Sequence, residues 1–211
     1  MKKKLSTILL TLFAMACVFA SEPIQPSEKT ELFNGKDLSG WKVYLQNGAE
    51  DKGTFKVEDG VIRCTGKPAG YLRTEQDYKN YKLHLEWRWA GKPGNSGVLL
   101  HMSEPDKVWP KSIECQLMHG NAGDFYVIDG TEMKEHSGPG RRVKKIGASS
   151  EKPAGEWNVY EIVCKDDGIF PVVNGELKNV GTQTSVKSGK ICVQSEGAPI
   201  EFRNIYIEPL D

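Results

Sequence analysis

The run YKLHLEWRW, Tyr81 to Trp89, alternates without a break: Leu83, Leu85, Trp87 and Trp89 fall on one side of an extended chain and His84, Glu86 and Arg88 on the other. Successive side chains of a strand point to opposite faces, so this pattern predicts a strand with one buried face and one polar face. No stretch of comparable length repeats with the helical period. Working outward, short runs rich in β-branched and aromatic residues recur: GWKVYL, TFKVEDG, VIRCT, SGVLLHM, SIECQLM, WNVYEIVCK, IFPVVN, KICVQS and IEFRNIYIEPL. Between them stand turn signals such as NGKD, EDG, GKPAG, GKPGN, VNGEL and SEGAP. The spacing predicts an all-β protein, a jelly-roll-like sandwich of two antiparallel sheets.

The N-terminus reads as a targeting segment. MKKK is a basic start, and LSTILLTLFAMA is apolar but short for a membrane span. Residues 1–20 are therefore expected to be a signal peptide, and the protein to be exported to the periplasm or cell surface. Two endings stay open: VFA before Ser21 suits peptidase cleavage, and AMAC places Cys17 where a lipoprotein would carry its lipid. Membrane contact is expected only through such a lipid. Residues 21–29, with Pro23 and Pro26, read as a linker, and a single domain is expected over 30–211.

The 28 basic and 28 acidic side chains cancel, which leaves no global field to attract nucleic acid or an anionic membrane. The RRVKK cluster at Arg141 to Lys145 reads as decoration of an exposed loop. Cys64, Cys115, Cys164 and Cys192 sit in apolar runs without CxxC spacing. They read as packing residues; disulfides are permitted by an oxidising compartment but not implied. Between His119 and Trp157 lie about forty residues dense in Gly, Asp, His and Lys, whose only strand-like part is GDFYVIDG. A segment of that length suits an ordered binding loop.

Several motifs in order resemble one family. LFNGKDLSGW, YKNYKLHLEWRW, NSGVLLHM, IECQLMHGNAGDFY, EWNVYEIVCKDDGIFPVVNGEL and GKICVQSEGAPIEFRNIYIEPL are similar to the 3-keto-disaccharide hydrolase domain family over residues 31–209. The resemblance implies a concanavalin A-like sandwich acting on oxidised sugars, so the expected partner is an oligosaccharide or oxidised glycoside. No cofactor or metal is expected. His101, Glu114, His119 and Asp124 have no recognised ligand spacing, and the oligomeric state stays open.

Glycosidases ordinarily use two carboxyl groups. Glucanases with the implied fold project theirs from alternate positions of one strand, here Glu114, Gln116 and Met118, and the amide at Gln116 argues against double displacement on this strand. A 3-keto sugar relaxes the requirement, because the ketone acidifies the hydrogen on C2. One base then forms an enolate that expels the C1 substituent, and water adds afterwards.

Glu114 is the candidate base, with His101 and Arg88 expected beside it as catalytic partners. Gln116, Glu86, His119, Asp124 and Tyr126 are expected to contact substrate. Five of them have an alternative reading: Glu86 with Arg88 as a surface ion pair, His101 as a structural histidine or a metal ligand, Gln116 as a backbone cap and His119 in solvent. A non-catalytic carbohydrate-binding module on the same sandwich is the alternative function.

Overall fold

The computed structural model describes residues 21–210. The signal peptide read over residues 1–20, and Cys17 within it, lies outside the described residues. Fifteen strands follow one another: β1 (Thr30–Glu31), β2 (Trp41–Leu45), β3 (Phe55–Glu58), β4 (Val61–Cys64), β5 (Gly70–Thr74), β6 (Tyr81–Trp89), β7 (Gly97–Met102) and β8 (Ser112–Gln116). Then come β9 (Phe125–Ile128), β10 (Arg142–Val143), β11 (Asn158–Lys165), β12 (Gly168–Val173), β13 (Glu176–Leu177), β14 (Lys190–Ser195) and β15 (Ile200–Glu208).

They form two antiparallel sheets. One runs β13-β12-β11-β6-β15-β4-β3, with β1 added beside β15; the other runs β10-β9-β8-β7-β14-β5-β2. The expected all-β sandwich is what forms.

The alternation of β6 sets the core. Leu83, Leu85, Trp87 and Trp89 are buried between the sheets, with Trp87 and Trp89 edge to face at 5.8 Å. Opposite them lie Val98 and Leu100 of β7, Ile113 and Cys115 of β8, and Ile191 and Val193 of β14. Each large apolar side chain removed from water contributes roughly 1.5–3 kcal/mol, and this shared interior is what closes the sandwich. Cys64, Cys115 and Cys164 pack within it as free thiols, and Cys192, also free, is buried on the other side of its sheet.

Two expectations about the chain's course change. Residues 21–29 are not a bare linker: Ile24 bridges Tyr78, donating to the Asp77 carbonyl at 2.8 Å and accepting from Lys79 at 3.0 Å, and Pro26 is buried. The run GYLRT, which carries no alternation because it is buried on both faces, forms β5, between β14 and the edge strand β2 of the second sheet.

Candidate active site

The outer face of the seven-stranded sheet carries the groups of interest, and cross-strand register orders them. One row runs Arg142, Tyr126, Glu114, Leu99, Cys192, Arg73, Lys42, each opposite the next. The adjoining row pairs Gln116 with Gly97, then Gln194 with Tyr71 and Tyr71 with Tyr44. Glu114 therefore points away from the inter-sheet core, as its alternation with Ile113 and Cys115 requires.

A second apolar cluster, Tyr71, Leu99, Met102, Ile128 and Cys192, lies on this face, with Tyr44 and Tyr126 packed against it. The segment 103–111 is tied down beside it. Asp106 accepts from the Tyr71 hydroxyl at 2.9 Å and from Arg73 Nε at 2.8 Å, Glu104 accepts from Arg73 Nη2 at 2.9 Å, and Lys107 pairs with Asp129. Tyr44 and Tyr71 stack at 5.3 Å, with Tyr71 fully buried opposite Gln194 and Tyr44 half-buried beyond it.

Glu114 is only 4% exposed, and its Oε1 has no hydrogen-bond partner. The same is true of Gln194 Oε1, Asn95 Oδ1 and Glu196 Oε2. A side chain at Gly97 would begin 2.3 Å from Gln194 Oε1 and 2.4 Å from Glu114 Oε1, so both head groups lean over the bare glycine. Unpaired buried acceptors are costly. A group of them on one sheet face is what a polyol, a proton or water would satisfy.

Burial pushes the Glu114 carboxyl up to about 8; the nearby Glu196 charge adds to the rise and Arg141 opposes it. Burial likewise raises Glu196 to about 7, with Arg141 and Asn95 pulling the other way. Both carboxyls are thus pushed toward their neutral forms, mainly by burial. Arg141, read from the sequence as loop decoration, is the cation that acts on both. Its backbone carbonyl accepts from Val127 at 2.9 Å, which fixes it to β9.

Three expected partners lie elsewhere. Arg88 and Glu86 belong to β6, in the opposite sheet, and face outward from it. Arg88 pairs with Glu201 at 2.6 Å and stacks 4.6 Å over Trp157, while Glu86 accepts from Arg203 and Asn204. Their face was read correctly, but alternation does not say which sheet a strand joins, and the sandwich thickness separates them from Glu114.

His101 is displaced by a bulge. Met102 opposes Lys190 and Leu99 opposes Cys192, so Ile191 alone spans Leu100 and His101. With φ of 53°, His101 turns into the sandwich, edge-on to Tyr81 at 5.8 Å, and Met102 takes the outer face instead. Its Nδ1–H donates to the Val186 carbonyl at 3.2 Å, its Nε2 has no partner, and burial holds its pKa down to about 4.

The remaining candidates divide. Tyr126 sits opposite Glu114, half-buried. Gln116 Oε1 caps the backbone N–H groups of Leu117 (2.8 Å) and Met118 (2.7 Å), which leaves its amide NH2 as the group to meet a ligand. Asp124 is fully buried and clamps the long loop, accepting from Arg142 Nε at 2.6 Å and the Lys145 N–H at 2.7 Å. His119 is exposed, with Nδ1 3.2 Å from Glu151; its N–H donates to Gly94, next to Asn95 at the rim. Among the described residues no three His, Cys, Asp or Glu side chains gather to hold a metal.

Residues 28–208 match the model of the 3-keto-alpha-glucoside-1,2-lyase-like domain. A 3-keto-disaccharide hydrolase of Bacteroides thetaiotaomicron is 23% identical over 241 aligned positions, which cover 90% of this chain and 81% of that protein. A crystal structure from Parabacteroides distasonis, described as a glycosyl hydrolase, superposes with a TM-score of 0.67 at 29% identity, over 87% of this chain and 94% of its own. A Bacillus licheniformis β-glucanase superposes with a TM-score of 0.60 at 16% identity, over 89% and 100% of the two chains, a likeness of fold alone.

Proposed function

This chain belongs to the 3-keto-alpha-glucoside-1,2-lyase-like domain family, and on that premise we propose that it cleaves 3-keto-glycosides with Glu114 as the base that removes the C2 proton. It is a carbohydrate-active enzyme of the 3-keto-disaccharide hydrolase family; the base, the order of steps and the substrate are the proposal. The observation that carries it is the buried Glu114 carboxyl with its unpartnered oxygen, set among other unpaired acceptors on an outer sheet face.

A C2 hydrogen beside a ketone is a weak acid, and a base is most useful when its own pKa lies near the working pH. Burial does that for Glu114. The reactive form is the one in which Glu114 is ionised, and burial makes that carboxylate a stronger base than an exposed one. As the enolate forms, negative charge grows on the C3 oxygen. Arg141 and the amide NH2 of Gln116 supply the positive and donor groups on the β8 to β10 side, and donors set in place before the charge develops lower the barrier most.

The acceptors Gln194 and Asn95 suit sugar hydroxyls, and the half-buried Tyr44, backed by Tyr71, offers an apolar surface to a ring. Tyr126 borders the same space. Export, read from residues 1–20, belongs to the same proposal.

Incubation of the purified protein with a 3-keto-disaccharide and with its unoxidised parent tests the reading. Selective consumption of the keto form, lost in Glu114→Gln, is expected. Binding of sugar without turnover in either protein would instead favour a carbohydrate-binding module.

A further inference from the structure

Elimination from C2 and C1 leaves one demand that a single base does not meet: the departing oxygen of an ordinary sugar is a poor leaving group unless it is protonated as it leaves. The face around Glu114 contains a second group suited to this. Glu196 follows β14 directly, two residues beyond Gln194, and so returns to the same face. Continuing the register Val193 to Val98 sets Gln194 against Gly97 and Glu196 against Asn95.

Glu196 is half-buried, its Oε2 has no partner, and its charge acts on Glu114. Asn95 lends this carboxyl a hydrogen bond, yet one oxygen stays idle, and its chain neighbours are anchored without it, by Gly197 N–H to Gly66 (2.7 Å) and by the Ser195 hydroxyl to Pro68 (2.8 Å).

We infer that Glu196 is a second catalytic residue, the acid that protonates the leaving oxygen while Glu114 takes the C2 proton. This rests on the function proposed above. The C2–H bond breaks toward Glu114, and its electron pair forms C1=C2 by way of the enolate. The C1–O bond breaks with its pair on oxygen, which takes the proton of Glu196. Glu114 is then protonated and Glu196 ionised. Water returns the system: its oxygen bonds C1, its proton goes to Glu196, and Glu114, having exchanged its proton with solvent while the product oxygen departs, protonates C2. One water is consumed and both carboxyls regain their starting states.

The test compares methyl and 4-nitrophenyl 3-keto-glucosides, whose leaving groups differ in their need for a proton. Loss of a general acid costs about 100-fold or more where protonation is required. Glu196→Gln should fall by that much in kcat/KM on the methyl glycoside, stay within about 10-fold of wild type on the nitrophenyl glycoside, and keep exchanging the C2 hydrogen for deuterium. Glu114→Gln should lose all three.

Should Glu196→Gln not fold, Glu196→Asp serves, with a steeper dependence on leaving group than wild type. Equal losses on both glycosides, or retention of C2 exchange by Glu114→Gln rather than Glu196→Gln, would overturn the assignment. A wild type that neither exchanges C2 nor cleaves either glycoside would instead remove the proposed function itself.

Discussion

Replacing Glu114 by Gln keeps the shape of the side chain and removes its titration, so stability should report the cost of holding a carboxyl on this face. The folded protein holds the Glu114 proton until about pH 8, against an ordinary 4.5. A carboxyl whose pKa rises on folding binds its proton more tightly in the folded state. Its stabilising effect is therefore present at low pH and is lost as pH climbs from 4.5 through 8.

At about 1.4 kcal/mol for each unit, the wild type carries a penalty near zero at pH 4.5, on the order of 3 kcal/mol at pH 7 and approaching 5 kcal/mol above pH 8. Urea unfolding of both proteins from pH 5 to 9 measures it. The advantage of Glu114→Gln should grow from pH 5 to about 8 and level off above it, as the folded carboxyl ionises, while turnover disappears, the usual exchange of stability for a working site. A difference in stability that does not change with pH would refute the claim that the carboxyl is desolvated in the folded state.

Other positions make separate predictions. His101 has a folded pKa of about 4, below the ordinary 6.5, so the unfolded chain binds its proton first. Relative to His101→Asn, the wild type should lose on the order of 3 kcal/mol as pH falls from 6.5 to 4, and a constant difference in urea unfolding would contradict this. Gly97→Ala must displace the Glu114 and Gln194 head groups; turnover should drop by about 100-fold for a stability loss of about 1–3 kcal/mol, and unchanged kinetics would show that the close approach is irrelevant. Asp106→Ala leaves the Arg73 guanidinium, 4% exposed, with Glu104 as its remaining carboxylate, and should cost about 3 kcal/mol with faster proteolysis inside 103–111. Arg88→Ala, on the far sheet, should leave kcat/KM as it was; a large fall would return Arg88 to the site.

The sandwich was legible because burial writes itself into strands with period two, and β6 and β11 each bury one face only. What that period does not encode is the partner sheet. Arg88 and Glu86 were placed beside Glu114 on a sound reading of their face, and β6 joins β11 and β15 instead. Nor does it survive a bulge: nothing in GVLLHM marks the extra residue that turns His101 inward and Met102 outward.

β5 escaped notice since both its faces are covered, which leaves Tyr71 and Arg73 without an alternating frame. Glu114 stood out as a carboxyl between apolar neighbours. Glu196, in contrast, belongs to SEGAP, whose Gly and Pro read as a turn, and Arg141 belongs to a basic run that resembles a solvated loop. Glu196 becomes visible only when register brings distant segments to one face, and Arg141 only through its charge acting on both carboxyls.

Proton movement at C2 bears most directly on the whole account. In deuterated water, wild-type protein given a 3-keto-disaccharide should yield product sugar carrying deuterium at C2, at a rate matching cleavage, and Glu114→Gln should produce neither. Cleavage that leaves the C2 hydrogen in place, or that persists undiminished in Glu114→Gln, would contradict it.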